Sequence, residues 1–213
     1  MTTGRTEMPA WPPAPPLVAI LRGLANEQAG EAGRVLFDAG FRALEVPLNR
    51  PQALACIETL ARIAPPGALV GAGTVTDAGE VDSVVAAGGR LIVSPHLDVA
   101  LVAHARAQGL HVVPGVFTPT EAFAAIRAGA SALKFFPAEV LSPAGLRALL
   151  SVLPAGTPAW PVGGITPDSL ARWREAGASG FGIGSALFKP GLTLDELATR
   201  ARTFVAAWQL TDA

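Results

Sequence analysis

The sequence predicts one α/β domain, a single (β/α)8 TIM barrel, and three observations carry that expectation. Eight short apolar runs alternate with longer stretches whose small and apolar residues recur at helical spacing. Glycine follows the Ala-rich segments again and again, where a left-handed residue lets a helix stop and the chain return to the next strand. At 213 residues, half of them hydrophobic, the chain has the size and apolar content of one such core. A doubly wound open sheet would show similar local signals, so closure rests on the count of eight.

Taken in order, residues 1–16 hold Pro9, Pro12, Pro13, Pro15 and Pro16, which favour an extended backbone without ladder hydrogen bonds. They are expected to form a flexible leader ahead of a barrel spanning 17–213. Docking of Trp11 onto the barrel or a neighbouring subunit is the alternative. The strand runs are Leu17 to Leu21, Ala43 to Leu48, Leu69 to Gly73, Leu91 to Ser94, His111 to Pro114, Ala132 to Phe136, Ala159 to Val162 and Gly180 to Gly184. Helix starts are marked by Asp77 before Ala78, Thr118 with Pro119 and Glu121, Ser142 with Pro143, and Thr166 with Pro167. Helix ends are marked by Gly40, Gly88, Gly109, Gly129 and Gly177.

Composition excludes several roles. A formal net charge of -1 with only 15% charged residues argues against nucleic acid as a partner. Cys56 is the only cysteine, so no disulfide can form within the chain and a Cys-rich metal site is ruled out. No apolar stretch reaches the roughly 18 residues a membrane span needs. Met1 to Pro16 also lacks the order of a signal peptide, so a cytoplasmic protein is expected. His96, His104 and His111 fall in no metal-ligand spacing, and no metal is expected.

In such barrels the working groups sit at the carboxyl ends of the strands. Those ends here present Arg22, Glu45 with Asn49, Thr74, Ser94 with Pro95, Pro114, Lys134, Gly163 with Gly164, and Gly184 with Ser185. Lys134 stands apart. The chain has 16 Lys plus Arg, and the other lysine is Lys189, near the last loop. Lys134 lies inside Ala-Leu-Lys-Phe-Phe-Pro, so its ammonium must reach the barrel mouth or bear a desolvation cost of several kcal/mol. A desolvated lysine keeps free amine near neutral pH, as attack on a ketone requires. A structural lysine paired with a carboxylate is the other reading.

Strand alternation aims Glu45 into the same interior, as a proton-transfer group or as a neutralising partner for Lys134. Arg22, ending the first strand run, could hold a substrate carboxylate through paired hydrogen bonds or serve as an ordinary surface arginine. Gly163, Gly164, Gly184 and Ser185 occupy the last two loops, where barrels often bind phosphate through backbone N–H groups near a helix N-terminus.

These residues lie in stretches that together resemble a family, the 2-dehydro-3-deoxy-phosphogluconate and phosphogalactonate (KDPG/KHG) aldolases, from about Leu17 to Phe204. The stretches are Ala19-Ile-Leu-Arg-Gly23, Leu44-Glu-Val-Pro-Leu-Asn49, Gly71-Ala-Gly-Thr-Val75, Val93-Ser-Pro95 and Pro114-Gly-Val-Phe-Thr-Pro119. Leu133-Lys-Phe-Phe-Pro-Ala138, Val162-Gly-Gly-Ile-Thr166 and Gly184-Ser185 complete the set. The resemblance implies Lys134 as the Schiff-base lysine and Glu45 as general acid/base. It places Arg22 and Thr74 around the keto-acid end, with Pro95, Phe136 and Val162 as further substrate-binding positions. Gly163, Gly164, Gly184 and Ser185 become the phosphate-binding positions. It also implies a homotrimer, no metal or organic cofactor, and a phosphorylated 2-keto-3-deoxy sugar acid cleaved to pyruvate and D-glyceraldehyde 3-phosphate.

Within the family, Glu45-Val-Pro-Leu-Asn49 and Val162 resemble the galactonate branch, whereas Lys134-Phe-Phe-Pro-Ala-Glu139 resembles the gluconate branch. The galactonate epimer is the favoured expectation. A phosphosugar isomerase or epimerase would use Glu45 without covalent attachment, and a non-catalytic phosphosugar-binding barrel would need the glycine loops but not a reactive lysine.

Overall fold

The computed structural model describes residues 9–211. Its strands are β1 (Leu17–Ile20), β2 (Ala43–Pro47), β3 (Leu69–Gly73), β4 (Leu91–Val93), β5 (His111–Val113), β6 (Gly115–Val116), β7 (Leu133–Phe135), β8 (Ala159–Pro161) and β9 (Phe181–Ile183). The helices are α1 (Asn26–Asp38), α2 (Ala53–Ile63), α3 (Ala78–Ala86), α4 (Val99–Ala107), α5 (Pro119–Arg127), α6 (Ala138–Leu150), α7 (Leu170–Glu175) and α8 (Leu194–Gln209).

All eight expected runs are strands, and every pairing is parallel. The ninth strand arises because one stave is broken. Pro114 has no N–H to give the ladder, so β5 pairs only backward to β4 and β6 pairs forward to β7. This divides the wall into a six-stranded sheet, β5-β4-β3-β2-β1-β9, and a three-stranded one, β6-β7-β8. Pairing of β1 with β9 and a bridge between Val162 and Gly182 close the ring on the other side.

Apolar packing separates into two clusters, as alternating strand residues require. Outward residues such as Leu17, Leu44, Val70 and Ile92 pack under the helices with Leu36, Phe37, Ile57, Leu60 and Phe204. Inward residues Val18, Ala43, Leu69, Leu91, Val93, Val113, Ala132 and Trp160 fill the barrel.

Asp77 caps α3 by accepting from Glu80 N–H at 2.9 Å, and Thr118 with Glu121 forms a capping box at α5. Thr166 does the same with Ser169 before a short 3-10 turn. Ser142 differs from expectation. The helix there already begins at Ala138, and Ser142 is a break inside it (φ 64°, ψ 158°) whose Oγ accepts from Gly145 N–H at 3.3 Å. Ser142 thus caps the second segment of a kinked helix, with Pro143 at its first position, where a missing N–H is harmless. Gly40, Gly88, Gly109, Gly129 and Gly177 all have positive φ.

The segment from Pro9 to Pro16, expected as part of a loose tail, lies against the barrel. Trp11 Nε1–H donates to Ser131 O at 2.9 Å, and its ring stacks with both His111 and Trp160. A large aromatic beside an open barrel end removes more surface from water than it would as a tail, which outweighs the ordering of a short proline-stiffened segment. Residues 1–8 of the expected leader lie outside the described residues.

Candidate active site

Lys134 is the middle residue of β7, between outward Leu133 and Phe135, so the pleat points it inward. Glu45 is the middle residue of β2 and does the same. Both are buried, Glu45 at 2% and Lys134 at 7% exposure, in an interior otherwise made of aliphatic side chains and Trp160.

Burial dominates their protonation. Desolvation raises the Glu45 carboxyl to about 7, although the positive charges of Lys134 and then Arg22 pull it down. Desolvation likewise lowers the Lys134 amine, opposed by Glu45 and assisted by Arg22. Glu45 Oε2 has no hydrogen-bond partner, and no Glu45–Lys134 ion pair within 4.0 Å occurs among the described residues. The two groups are near enough to influence each other and still free to act on a third. A carboxyl near neutrality can take and return a proton, and a lysine with depressed affinity for protons supplies a nucleophile.

Gly73, at the end of β3, makes room for this arrangement. A side chain there would collide with the Glu45 carboxylate. Thr74, the next residue, has φ 57°, a left-handed conformation that a β-branched residue holds at a cost of about 1–3 kcal/mol. Above Lys134, the Phe136 ring centroid lies 4.6 Å from Nζ, within cation–π range whenever the amine is charged.

Beside the chamber that holds this pair, and sharing Ile20 and Val162 with it, lies a cleft of about 530 Å³. Arg22, Phe136, Val162, Gly163, Gly164, Gly184 and Ser185 all line it. The structure therefore brings together seven expected residues from four strand ends. Thr74 and Pro95 are half-buried at the ends of β3 and β4 and do not line this cleft. The two glycine pairs differ: Gly163 and Gly164 both need positive φ (109° and 65°), whereas Gly184 faces open space.

Three contributors were missed from sequence: Gly73, Glu139 and Lys189. Glu139 lies so close over Gly163 and Gly164 that a side chain at either would meet it. Lys189 lines the glycine end of the cleft. Its signal was rarity, since it is the only lysine besides Lys134. The histidines are engaged elsewhere: His104 with Asp82 at 2.8 Å, and His111 with Pro9 O at 3.0 Å.

Comparison with known proteins agrees with this geometry. Residues 14–199 match the model for the family described as KDPG and KHG aldolase. The chain is 45% identical over 201 residues to a probable 2-dehydro-3-deoxy-6-phosphogalactonate aldolase of Rhizobium meliloti (strain 1021), covering 94% of this chain and 95% of that one. It is 41% identical over 199 residues to the 2-dehydro-3-deoxy-6-phosphogalactonate aldolase of Escherichia coli (strain K12), covering 93% and 97%. A solved structure described as native KDPGal superimposes with a TM-score of 0.90 at 41% identity, covering 92% and 96%. A barrel with a buried lysine and carboxylate at its mouth, matched along nearly its whole length, belongs to the KDPG and KHG aldolase family and is a carbon–carbon lyase.

Proposed function

We propose that this aldolase cleaves 2-dehydro-3-deoxy-6-phosphogalactonate to pyruvate and D-glyceraldehyde 3-phosphate through a Schiff base on Lys134. The observation that carries the proposal is the buried Lys134–Glu45 pair, with its shifted protonation, in a chamber that shares Ile20 and Val162 with the cleft lined by the glycine loops.

The neutral Lys134 amine attacks the carbon 2 ketone, and loss of water from the carbinolamine leaves a protonated imine. Glu45, ionised, removes the proton of the carbon 4 hydroxyl. The electrons of the bond between carbons 3 and 4 move into the imine, and glyceraldehyde 3-phosphate leaves from an enamine. Glu45 returns its proton to carbon 3, directly or through water. Hydrolysis of the pyruvate imine restores Lys134.

Arg22 holds the keto-acid end with Thr74, Pro95, Phe136 and Val162 around it, and Gly163, Gly164, Gly184 and Ser185 hold the phosphate through backbone and hydroxyl donors. Binding at both ends keeps carbon 2 in line with Nζ. Lys189 adds positive charge at the phosphate end. No metal or organic cofactor enters these steps.

Incubation with pyruvate and borohydride, followed by peptide mapping, tests the chemistry. A reduced adduct on Lys134 is expected; a well-folded protein without it would instead be an isomerase or a binding barrel. Turnover on both carbon 4 epimers then tests the substrate. The galactonate preference is supported by the two relatives at 41–45% identity, and preference for the gluconate epimer would overturn it. We further propose a cytoplasmic homotrimer. Exposed Leu54, Val99, Phe117 and Val140 supply apolar surface for assembly, and sedimentation equilibrium measures the mass.

A further inference from the structure

We propose that Trp11 is a positioning residue of the active site, closing the barrel floor under Trp160 so that the chamber holding Lys134 and Glu45 stays dry. This rests on the Schiff-base reading above. The Trp11 indole makes two stacked ring contacts. One ring contact is Trp160, with centroids 4.9 Å apart and planes 15° from parallel; the other is His111, at 4.8 Å and 25°. The indole N–H is held by Ser131 O, at the entry to β7, so the ring is fixed in orientation as well as in depth.

Trp160 links this floor to the chemistry. It is the register partner of Lys134 across β7 and β8, and paired residues of parallel strands project to the same face. It lines the same interior chamber as Glu45, Lys134, Val93, Val113 and Val162. Gly180 leaves its ring no slack, since a side chain there would meet both the Trp160 indole and Pro16 O. Pro16, like Trp11, belongs to the N-terminal segment. That segment therefore meets Trp160 directly through Trp11 and is tied to β9 beside it, where Pro16 O accepts from Phe181 N–H at 2.9 Å.

The chamber needs dryness because the protonation of both reacting groups is set first by desolvation. The charged groups that act on them are each other and Arg22 at the mouth. On the floor side the titratable group is His111, which donates to Pro9 O and is kept neutral by burial, with Arg106 opposing its charge. No fixed charge on the floor thus replaces desolvation if Trp160 drops and water enters. Hydration would return Glu45 towards an ordinary carboxylate and Lys134 towards an ordinary amine.

The test compares Trp11→Ala and Trp11→Phe with the wild type, reading kcat against pH and the rate of borohydride trapping with pyruvate. In Trp11→Ala the apparent pKa of the acid limb should fall by about half a unit or more. Trapping at pH 7 should slow by about 3- to 10-fold, as more of Lys134 stays protonated. Trp11→Phe keeps an apolar ring and should recover most of both. A less stable Trp11→Ala protein with an unmoved pH profile and unchanged trapping would overturn the proposal, leaving Trp11 a purely structural plug. If Trp11→Ala does not fold, Trp11→Leu takes its place, since it retains bulk without a flat seal, and the same two outcomes decide. Absence of an adduct in the wild type would overturn the Schiff-base reading itself, a result distinguishable from failure of the floor.

Discussion

The two ends of this barrel are built from the same strands and do opposite things. At the amino end three rings, His111, Trp11 and Trp160, stack, and two of their polar atoms have backbone partners: the Trp11 indole N–H on Ser131 O and the imidazole on Pro9 O. At the carboxyl end the bore is left open, and one buried carboxylate oxygen has no partner at all. Buried polar groups are ordinarily satisfied, and an orphan costs about 1–3 kcal/mol. The contrast teaches where stability is being held and where it is being given up. The closed end completes the core, and the open end keeps two ionisable groups in a poor solvent so that they react.

The sharpest break of that contrast is Lys134→Ala, which should abolish turnover and trapping together, a loss of about 10⁴-fold or more. Its melting temperature should stay level or rise, because a desolvated amine has been removed. Retained turnover in a steady-state assay would end the assignment.

Glu45→Gln comes next, with kcat expected to fall by about 10²- to 10⁴-fold. The same variant exposes the stability given up at the open end. The folded carboxyl titrates near 7 against 4.5 for an unfolded one, so the native state holds its proton to higher pH. Stability from this group is therefore fully present below about 4.5 and is lost as pH rises through about 7, by roughly 3 kcal/mol. Melts at pH 5 and pH 8.5 should show Glu45→Gln gaining on wild type at the higher pH; an equal difference at both would show that Glu45 is not held protonated.

At the closed end, Trp160→Ala should cost about 3–5 kcal/mol in denaturant unfolding, through a cavity the neighbouring rings cannot fill. A cost under about 1 kcal/mol would mean the stack is dispensable.

Smallest are the two side chains at the outer cleft. Lys189→Ala should raise KM for the phosphorylated substrate by about 2- to 5-fold, and Glu139→Gln should lower it by a similar factor, with kcat little changed in each. Opposite signs would confirm that both act on the phosphate as charges. A KM unmoved in both would place the phosphate elsewhere.

Much of this was legible beforehand because it is encoded locally. Strand Lys134 and strand Glu45 are inward by the two-residue period, and Thr118-Pro-Thr-Glu121 states a helix start in four residues. The same reasoning missed Gly73, because the reason for glycine there is a carboxylate arriving from the adjacent strand. It missed the role of Glu139 for a similar cause, since Gly163 and Gly164 approach it from another strand. Ser142 was legible as a cap and not as a kink, because the helix before it starts at a proline that carries no side-chain cap.

The sequence by itself determined the number of staves, the inward direction of Glu45 and Lys134, and the rarity of the lysine that marks the site, all of which follow from the pleat, the helical repeat and composition. Only the tertiary structure decided that Pro114 splits one stave between two sheets, that Trp11 lies on the floor, and that Glu45 and Lys134 influence each other without an ion pair. Contacts between residues about a hundred positions apart depend on how the ring closes. Desolvation, which sets the chemistry, is a property of everything around a group and of no single neighbour.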